Sequence, residues 1–256
     1  MRNLKIVIEY DGTDFFGWQY QPDRRTVQGE LESALQTITG ESIRIVGAGR
    51  TDRGVHALGQ VASFKIHSPI PEMRLKEALN ALTGADLYIR EICEVPMEFH
   101  ARFSAVSKIY QYRIMTHYSP LKRRYFWFVG YHLDIGAMRE ALKYFLGVHD
   151  FRYFSVSEEK EKIEENASNT KCNILDISLT ESGTDIIIDI EGNRFLRKMV
   201  RGIVGFLINV GRGRLRSEVA CDIFAGELNH IYFAPACGLC LREVRYNDLP
   251  VITRKE

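Results

Sequence analysis

The sequence of 256 residues has little net charge and no long apolar run. A membrane-spanning helix requires about 20 consecutive apolar residues, and the N-terminal stretch MRNLKIVIEYDG interrupts its apolar run with charges. This stretch is typical of a strand rather than a secretory signal, so we expect a cytoplasmic protein that makes no membrane contact. A net charge of +1 excludes a uniformly basic nucleic-acid-binding protein, but it allows one whose charges are segregated.

Cysteine is also scarce, with an odd count of five and irregular spacing. This argues against a disulfide framework and is typical of proteins from a reducing compartment. Cys237 and Cys240 form a CxxC pair, but a zinc site needs a second pair of ligands, and a redox site lies where a helix follows a strand. Here the pair opens the strand-like stretch CGLCLREVRY. The pair therefore indicates buried thiols, and we expect neither a metal nor a cofactor.

Apolar residues make up 45% of the chain, and their spacing predicts the same order of elements twice. In the first half the pattern predicts strands over 4–10, 42–48, 60–66 and 87–95 and helices over 26–40 and 73–82. In the second half it predicts strands over 108–115, 172–180, 185–192 and 240–246, helices over 135–147 and 193–211, and an extra strand over 124–131. Each half has the order β-α-β-β-α-β. We therefore predict an α+β fold of two ferredoxin-like halves, residues 1–100 and 101–256, with mainly antiparallel sheets and an active-site cleft between them.

The two halves differ in the connection between their central strands. The four residues ESGT join these strands in the second half, whereas the first half uses the thirteen residues GAGRTDRGVHALG (47–59). Hairpin loops usually contain about 2–5 residues, and longer polar loops are often functional. On its own, Asp52 is typical of a turn residue near Gly54, which supplies a positive φ. The GxG of this loop is only a weak indication of nucleotide binding, because no Gly-Lys-Ser/Thr follows it.

The predicted helix 193–211 concentrates basic residues in its first half, and one of them, Arg201, lies among apolar positions. A half-buried guanidinium needs an anionic partner, and a carboxylate on the glycine-rich loop would serve. The alternative is a solvated basic edge. Tyr110 and Tyr112 alternate along the strand 108–115 and therefore face one side of it. Either both pack in the core or one of them stacks under a base.

Charge is unevenly distributed along the chain. Residues 90–124 contain seven Lys or Arg, among them Arg102 and Lys108, interleaved with Phe, Tyr and His. Such a segment is typical of a nucleic-acid-binding surface. The acidic run EEKEKIEE (158–165) is predicted to be a solvated loop or a short helix.

The stretch GRTDRGVHALGQ (49–60) closely resembles GRTDxGVHAxxQ, the active-site signature of the tRNA pseudouridine synthase A family. Five further stretches resemble family motifs in the same order along nearly the whole chain. They are YDGTDFFGWQYQPDRRTVQGELESAL, ARFSAVSKIYQYRI, GVHDF, NRFLRKMVRGIVGFLINVGRG and GLCLREVRY. Six motifs in order make a chance similarity improbable, and the GRTD block is the most specific of them.

The resemblance implies an enzyme that isomerises uridine to pseudouridine in the anticodon arm of tRNA, around nucleotides 38 to 40. It also implies two α+β halves, a homodimer and no cofactor. The catalytic aspartate of the family falls on Asp52 and its active-site tyrosine on Tyr110. The arginine that partners the aspartate falls on Arg201, and the arginine implicated in holding the target nucleotide out of the helix falls on Arg50.

A uridine inside a stem must be flipped out before it reacts, at a cost of a few kcal/mol. Arg50 and His56 on the loop are suited to fill the vacated stack and to hold phosphates. The residues expected to bind RNA are Arg50, His56, Arg102, Lys108 and Tyr110.

Three places depart from the family pattern. Arg53 stands where Ala is common, Cys240 stands where Tyr is frequent, and residues 158–173 lack the usual Thr-x-Arg. Two alternatives to an active synthase stay open at this point. One is a catalytically inactive RNA-binding module on the same fold, and the other is a nucleotide- or phosphate-binding enzyme that uses the glycine-rich loop.

Overall fold

A computed structural model of the chain describes residues 1–156, 170–228 and 231–247. Within these residues the architecture is mixed α/β, with mostly antiparallel strand pairs and five α-helices. Within the described residues, the chain divides into a first unit, Met1–Val106 with residues 240–247, and a second unit between them, which begins at Ser107 and ends at Leu239. The break after Val106 is close to the predicted boundary at residue 100, but the last strand groups with the first unit instead of the C-terminal half.

The first unit contains a sheet whose strands are connected by two helices. Its elements are β1 (Arg2–Tyr10), α1 (Val27–Thr39), β2 (Val46–Gly47), β3 (His56–Ile66), α2 (Glu72–Leu82), β4 (Leu87–Val95) and the C-terminal strand β10 (Leu239–Tyr246). β1 is antiparallel to both β3 and β4, and β2 is antiparallel to β3. β10 runs parallel to the start of β3, with Cys240 beside His56. This pairing explains why the last strand groups with the first unit.

The boundaries of α1 follow from its flanking residues. The Thr26 side chain accepts a hydrogen bond from Gly29 N at the start of the helix. Gly40 ends the helix with a φ of 74°, which a glycine adopts without steric strain. The helix predicted over 26–40 is confirmed, with the first and last of these residues as its caps.

The second unit also consists of mainly antiparallel strands and of helices. Its elements are β5 (Ala105–Met115), β6 (Trp127–Phe128), α3 (Ile135–Leu142), β7 (Gly147–Asp150), β8 (Lys171–Ser182), β9 (Asp185–Gly192), α4 (Met199–Gly211) and α5 (Val219–Ala225). The strands follow the order β5-β9-β8-β7 with antiparallel neighbours, and β6 runs parallel to the end of β5. α4 is buried along almost its whole length, so neighbouring segments approach its backbone closely.

The predicted helix 193–211 is wrong over its first six residues. α4 begins at Met199, directly after Lys198, whose φ of 60° is left-handed and cannot continue a right-handed helix. The basic residues before Met199 therefore lie in the connection from β9, and the basic residues predicted for the first half of the helix lie mostly outside it. Arg201 keeps its place in the first turn of α4.

The predicted strand 42–48 is reduced to the two residues of β2. The cause is that side chains from α1 bind the backbone that would otherwise extend the strand. Ile45 N donates to Glu32 Oε1 at 2.9 Å, and Gln28 Nε2 donates to Ile45 O at 3.3 Å. These bonds occupy the groups that a longer strand would use for its ladder.

Two other predicted elements are shorter in the structure, and two match their predicted bounds. The helix predicted over 135–147 ends at Leu142, and the extra strand predicted over 124–131 is limited to Trp127–Phe128. β4 and β9 match their predicted bounds.

The acidic run of the sequence falls in a part of the chain that the structure does not describe. The solvated run predicted over 158–165 lies outside the described residues, as does most of 158–173. In the part of the chain that the structure describes, no helix is long and apolar enough to span a membrane.

Candidate active site

The loop between β2 and β3 holds Asp52 in a tight turn. Val55 N donates to Asp52 O at 3.1 Å, and Gly54 between them has a φ of 78°. This is the turn expected from the sequence, with aspartate in first position and glycine where a positive φ is needed. The loop is also tied to β3, because the Gln60 side chain donates to Gly49 O at 2.9 Å. The backbone at Asp52 is therefore well anchored.

Thr51, the residue before Asp52, is fixed from two sides. Trp18 N donates to Thr51 O at 3.0 Å, and the Thr51 hydroxyl oxygen lies 2.8 Å from the Tyr10 hydroxyl in a buried hydrogen bond. Gly17 permits this approach, since its φ is 89° and a Cβ there would lie 2.6 Å from Thr51 O. Burial raises the pKa of the Tyr10 phenol well above its ordinary value, so this hydroxyl keeps its proton.

His56 lies in the interior of the first unit rather than on an exposed loop. It is the first residue of β3 and is only 5% exposed. Gly12 N donates to its Nδ1 at 3.0 Å, and Asp11 Oδ1 lies 3.1 Å from the same nitrogen. These contacts connect the end of the loop to the segment after β1. The ring is buried among these contacts, which differs from the exposed side chain expected of a phosphate contact.

Three exposed arginines of the first unit belong to motifs that the sequence singled out: Arg50, Arg53 and Arg102. The Arg53 guanidinium carbon lies 4.3 Å from the centroid of the Phe16 ring, and that of Arg102 lies 5.6 Å from the centroid of the Phe103 ring. Both arrangements combine a cation with an aromatic ring. Proteins use this chemistry to bind unpaired nucleotides.

In the second unit, β5 places Tyr110 and Tyr112 in buried positions. Tyr110 is 7% exposed and packs edge-on against Phe195, with ring centroids 5.0 Å apart. Tyr112 is fully buried and donates its hydroxyl to Pro235 O at 2.7 Å, and burial raises the pKa of its phenol. Tyr112 is therefore a core residue. Lys108 is also buried, which differs from the exposed cation expected of an RNA contact.

Arg201 is held by the segment that follows α5. Its Nε donates to Ala234 O at 2.6 Å, and Ala234 N donates to Arg201 O at 3.0 Å. Gly205, one turn further along α4, permits this contact because a Cβ there would lie 1.7 Å from Tyr232 O. The bond to Ala234 uses Nε, one of the three guanidinium nitrogens.

The CxxC pair consists of free thiols in the interior. Cys240 is buried in β10, and Cys237 is half-buried with a pKa raised by burial. Among the described residues, no group of three or more His, Cys, Asp or Glu is arranged to hold a metal ion.

The sequence did not indicate the residues that support these side chains. Tyr10 and Trp18 lie in the motif YDGTDFFGWQ, and Trp18 is one of only two tryptophans, which was the available signal. Ala234 acts through its backbone carbonyl. Every residue type offers that group, so the sequence holds no side-chain signal for it.

Comparison with known proteins shows similarity along nearly the whole chain. A family model described as tRNA pseudouridine synthase matches residues 6–104 and 141–247. The chain is 43% identical to a protein from Citrifermentans bemidjiense named tRNA pseudouridine synthase A, over 97% of this chain and 99% of the relative. It is 42% identical to a protein of the same name from Geobacter sp., over 97% of this chain and 100% of the relative. A third protein of that name, from Acetivibrio thermocellus, is also 42% identical, over 96% of this chain and 100% of the relative.

Among solved structures, the likeness is weak. The crystal structure of the archaeal box H/ACA sRNP Nop10-Cbf5 complex matches with a TM-score of 0.37 and 11% identity. The match covers 80% of this chain and 43% of that chain. Similarity at this level does not inform the fold.

Proposed function

Because this chain belongs to the tRNA pseudouridine synthase A family, we propose that it converts uridine to pseudouridine in the anticodon arm of tRNA, around nucleotides 38 to 40. The chain is accordingly an isomerase that acts on tRNA. The observation that carries the proposal is the GRTDRGVHALGQ loop, whose Asp52 is held in a turn on an anchored backbone. A degenerate, merely binding protein has no need for a carboxylate positioned in this way.

The reaction is an isomerisation, so substrate and product have the same composition, although the hydrogen on C5 is released to solvent. The C1′–N1 bond breaks, the uracil turns, and a C1′–C5 bond forms, while C5 loses a proton and N1 gains one. The Asp52 carboxylate acts either as the nucleophile at C1′ or as the base in a glycal route. In both routes the carboxylate must meet the ribose in a fixed orientation, and the support of Thr51 by Trp18 and Tyr10 provides this.

Tyr110 and Arg201 complete the proposed catalytic group. The Tyr110 ring offers a surface for the uracil and a hydroxyl that helps remove the C5 proton, directly or through water. Arg201 orients the catalytic carboxylate through its terminal nitrogens, because its Nε is already bound to Ala234 O. Lysine lacks this fork and would orient a carboxylate less well.

RNA binding is proposed for a subset of the expected residues. Arg50 is exposed on the loop and is suited to fill the gap that the flipped uridine leaves. Arg102 is exposed beside Phe103, which is 77% exposed and stacks on His100 at 4.4 Å. The buried His56 supports the loop instead.

The proposal also includes a ferredoxin-like arrangement in each half and a homodimeric assembly. The order β4-β1-β3-β2 in the first unit, with antiparallel neighbours, supports a ferredoxin-like arrangement. We expect a second such arrangement in the C-terminal half. We further expect a cytoplasmic homodimer that needs no cofactor, and light scattering in solution would measure its mass.

Release of tritium tests the activity directly. Transfer RNA labelled with tritium at uridine C5 should lose the label to water when the purified protein is added. Asp52→Asn should abolish the release while RNA binding largely survives, because phosphate contacts dominate affinity. Release by Asp52→Asn at the wild-type rate would disprove this mechanism.

Tritium release and a binding measurement together separate the two alternatives to an active synthase. A catalytically inactive RNA-binding module would bind the tRNA without releasing label. Tight binding of ATP or NAD, measured by calorimetry, would favour a nucleotide-binding enzyme instead.

A further inference from the structure

We propose that Arg24, Phe16 and Arg53 form a phosphate-binding site for the RNA backbone, which we call the double-arginine site. This inference rests on the proposed function, because it assigns the ligand as a phosphate of the tRNA substrate. It adds a contact that the family signature does not contain, since Arg53 stands where Ala is common.

Two guanidinium groups lie over one aromatic ring. The guanidinium carbon of Arg24 is 4.6 Å from the centroid of Phe16, and that of Arg53 is 4.3 Å from the same centroid. The two cations are therefore at most about 9 Å apart, within roughly one Debye length at physiological salt. Like charges at this separation repel, and a monoanionic phosphodiester bound near both guanidinium groups would relieve the repulsion.

The local backbone brings the two arginines to the ring. Phe16 N donates to Arg25 O at 2.8 Å, and the Gln21 side chain donates to Phe16 O at 3.2 Å. Asp23 has a left-handed φ of 59°, which turns the chain so that Arg24 returns over Phe16. Stacking on the ring restricts the guanidinium groups, so less conformational entropy is lost when they bind an anion.

The neighbouring Arg25 differs from Arg24 and Arg53 because carboxylates neutralise its charge. Arg25 also lies over a ring, 4.1 Å from the centroid of Phe15, but it forms two hydrogen bonds of 2.7 Å to Asp86 and one of 2.8 Å to Glu30. These carboxylates neutralise it and raise its pKa. Within the described part of the chain, neither Arg24 nor Arg53 forms an ion pair.

The position of the pair indicates RNA phosphate as the ligand. Arg53 directly follows Asp52, so a phosphate held here belongs to a nucleotide near the one that reacts. Arginine forks recognise phosphate oxygens through paired N–H groups. Both residues are exposed, which a strand of RNA requires for access.

The test measures the salt dependence of tRNA binding. The variants are Arg24→Gln, Arg53→Gln and the double variant, with fluorescence anisotropy of a 3′-labelled unmodified tRNA transcript as the readout. The matched control is the double variant Arg44→Gln/Arg74→Gln, which removes the same charge from arginines of the first unit that are 73% and 77% exposed. Neither control arginine is stacked on a ring of the described residues.

The double variant at the site should weaken binding about tenfold at 0.1 M salt, and the slope of log Kd against log salt should fall by about 1. The control should change Kd less than twofold. In tritium release the site variant should raise KM much more than it lowers kcat. Phe16→Leu keeps the apolar volume but removes the ring, and it should raise KM by a smaller factor.

Several outcomes would overturn the proposal. One is a double variant whose Kd and salt slope equal those of the control. Another is weaker binding with an unchanged slope and a lowered melting temperature, which would assign the stack to stability. Loss of a dimer without a change in slope would assign the pair to a subunit interface. Because the binding assay needs no turnover, a wild-type protein that releases no tritium would overturn the function while this assay still measured the site.

Discussion

Gly205→Ala should impair catalysis without touching a residue that meets the substrate. A Cβ at this position would lie 1.7 Å from Tyr232 O, whereas real Cβ atoms essentially never come closer than 3.0 Å to another heavy atom. The backbone at Tyr232 must therefore move by about 1.3 Å or more. Two residues later, Ala234 O accepts the 2.6 Å hydrogen bond from Arg201 Nε. A movement of this size is enough to break that bond.

The expected magnitude follows from the geometry of the arginine. A misplacement of about 1 Å in a catalytic group can reduce the rate by about 100-fold, which equals about 2.7 kcal/mol of activation free energy. Overpacking of the buried helix should also lower the free energy of unfolding by about 1–3 kcal/mol. We therefore expect Gly205→Ala to lower kcat by about 30- to 100-fold, with a smaller change in KM.

Single-turnover tritium release at saturating enzyme measures this effect, and urea denaturation measures the stability. Gly136→Ala is the control, since this glycine lies in the first turn of α3 and its Cβ would come no closer than 3.3 Å to another atom, Asp134 Oδ1. It should leave kcat unchanged and should leave the stability equal or raise it by up to about 1 kcal/mol, because Ala is favoured over Gly in a helix. A positioning role predicts that Gly205→Ala has little further effect in an Arg201→Gln background. A full effect in that background, or a kcat within threefold of wild type, would refute the reasoning.

Further predictions concern buried groups. Tyr10→Phe removes the hydroxyl that bonds Thr51, so the free energy of unfolding in urea should fall by about 1–3 kcal/mol; no change would contradict the buried bond. Burial raises the pKa of Tyr10 and Tyr112 above the ordinary 10.0, so the unfolded chain ionises first. Their contribution to stability is then complete below pH 10 and is lost as the pH rises above it, and Tyr112→Phe should flatten this alkaline loss in urea midpoints. Burial also raises the pKa of Cys172 to about 11, whereas Cys221 is exposed, so a disulfide reagent should modify Cys221 first; equal rates would contradict this.

The order of elements was predictable because apolar spacing reflects burial. β4 and β9 match their predicted bounds, since each is a continuous apolar-rich run between turn residues. The start of α4 was not predictable, because the apolar spacing continues through a residue, Lys198, whose left-handed φ carries no signal in its type. β2 is short because side chains of α1, not strands, bind Ile45. Such competition depends on tertiary contacts that periodicity does not encode.

In the candidate site, the residues proposed to react were easier to predict from the sequence than the residues that support them. Arg201 was a candidate because a cation among apolar residues is unusual in itself, whereas Asp52 on its own was typical of a turn residue and became a candidate through the resemblance of its loop to the family signature. His56 was expected to face RNA, but its place at the start of β3 gives it Gly12 N as a partner. The loop is shorter than predicted because β3 begins at that residue. Histidine in a polar motif is equally suited to either role, so its type did not decide between them.

Backbone groups help to hold two of the three proposed catalytic residues, Asp52 and Arg201. Thr51 O is held by Trp18 N beneath Gly17, and Arg201 is held by Ala234 O beside Gly205. In both cases a glycine permits two backbone segments to approach more closely than any Cβ would allow. Side chains around such a contact are free to vary, whereas the glycine is not. This explains how the long side chain of Arg53 fits beside the proposed catalytic aspartate, because it extends over Phe16 and leaves the backbone contacts of the loop intact.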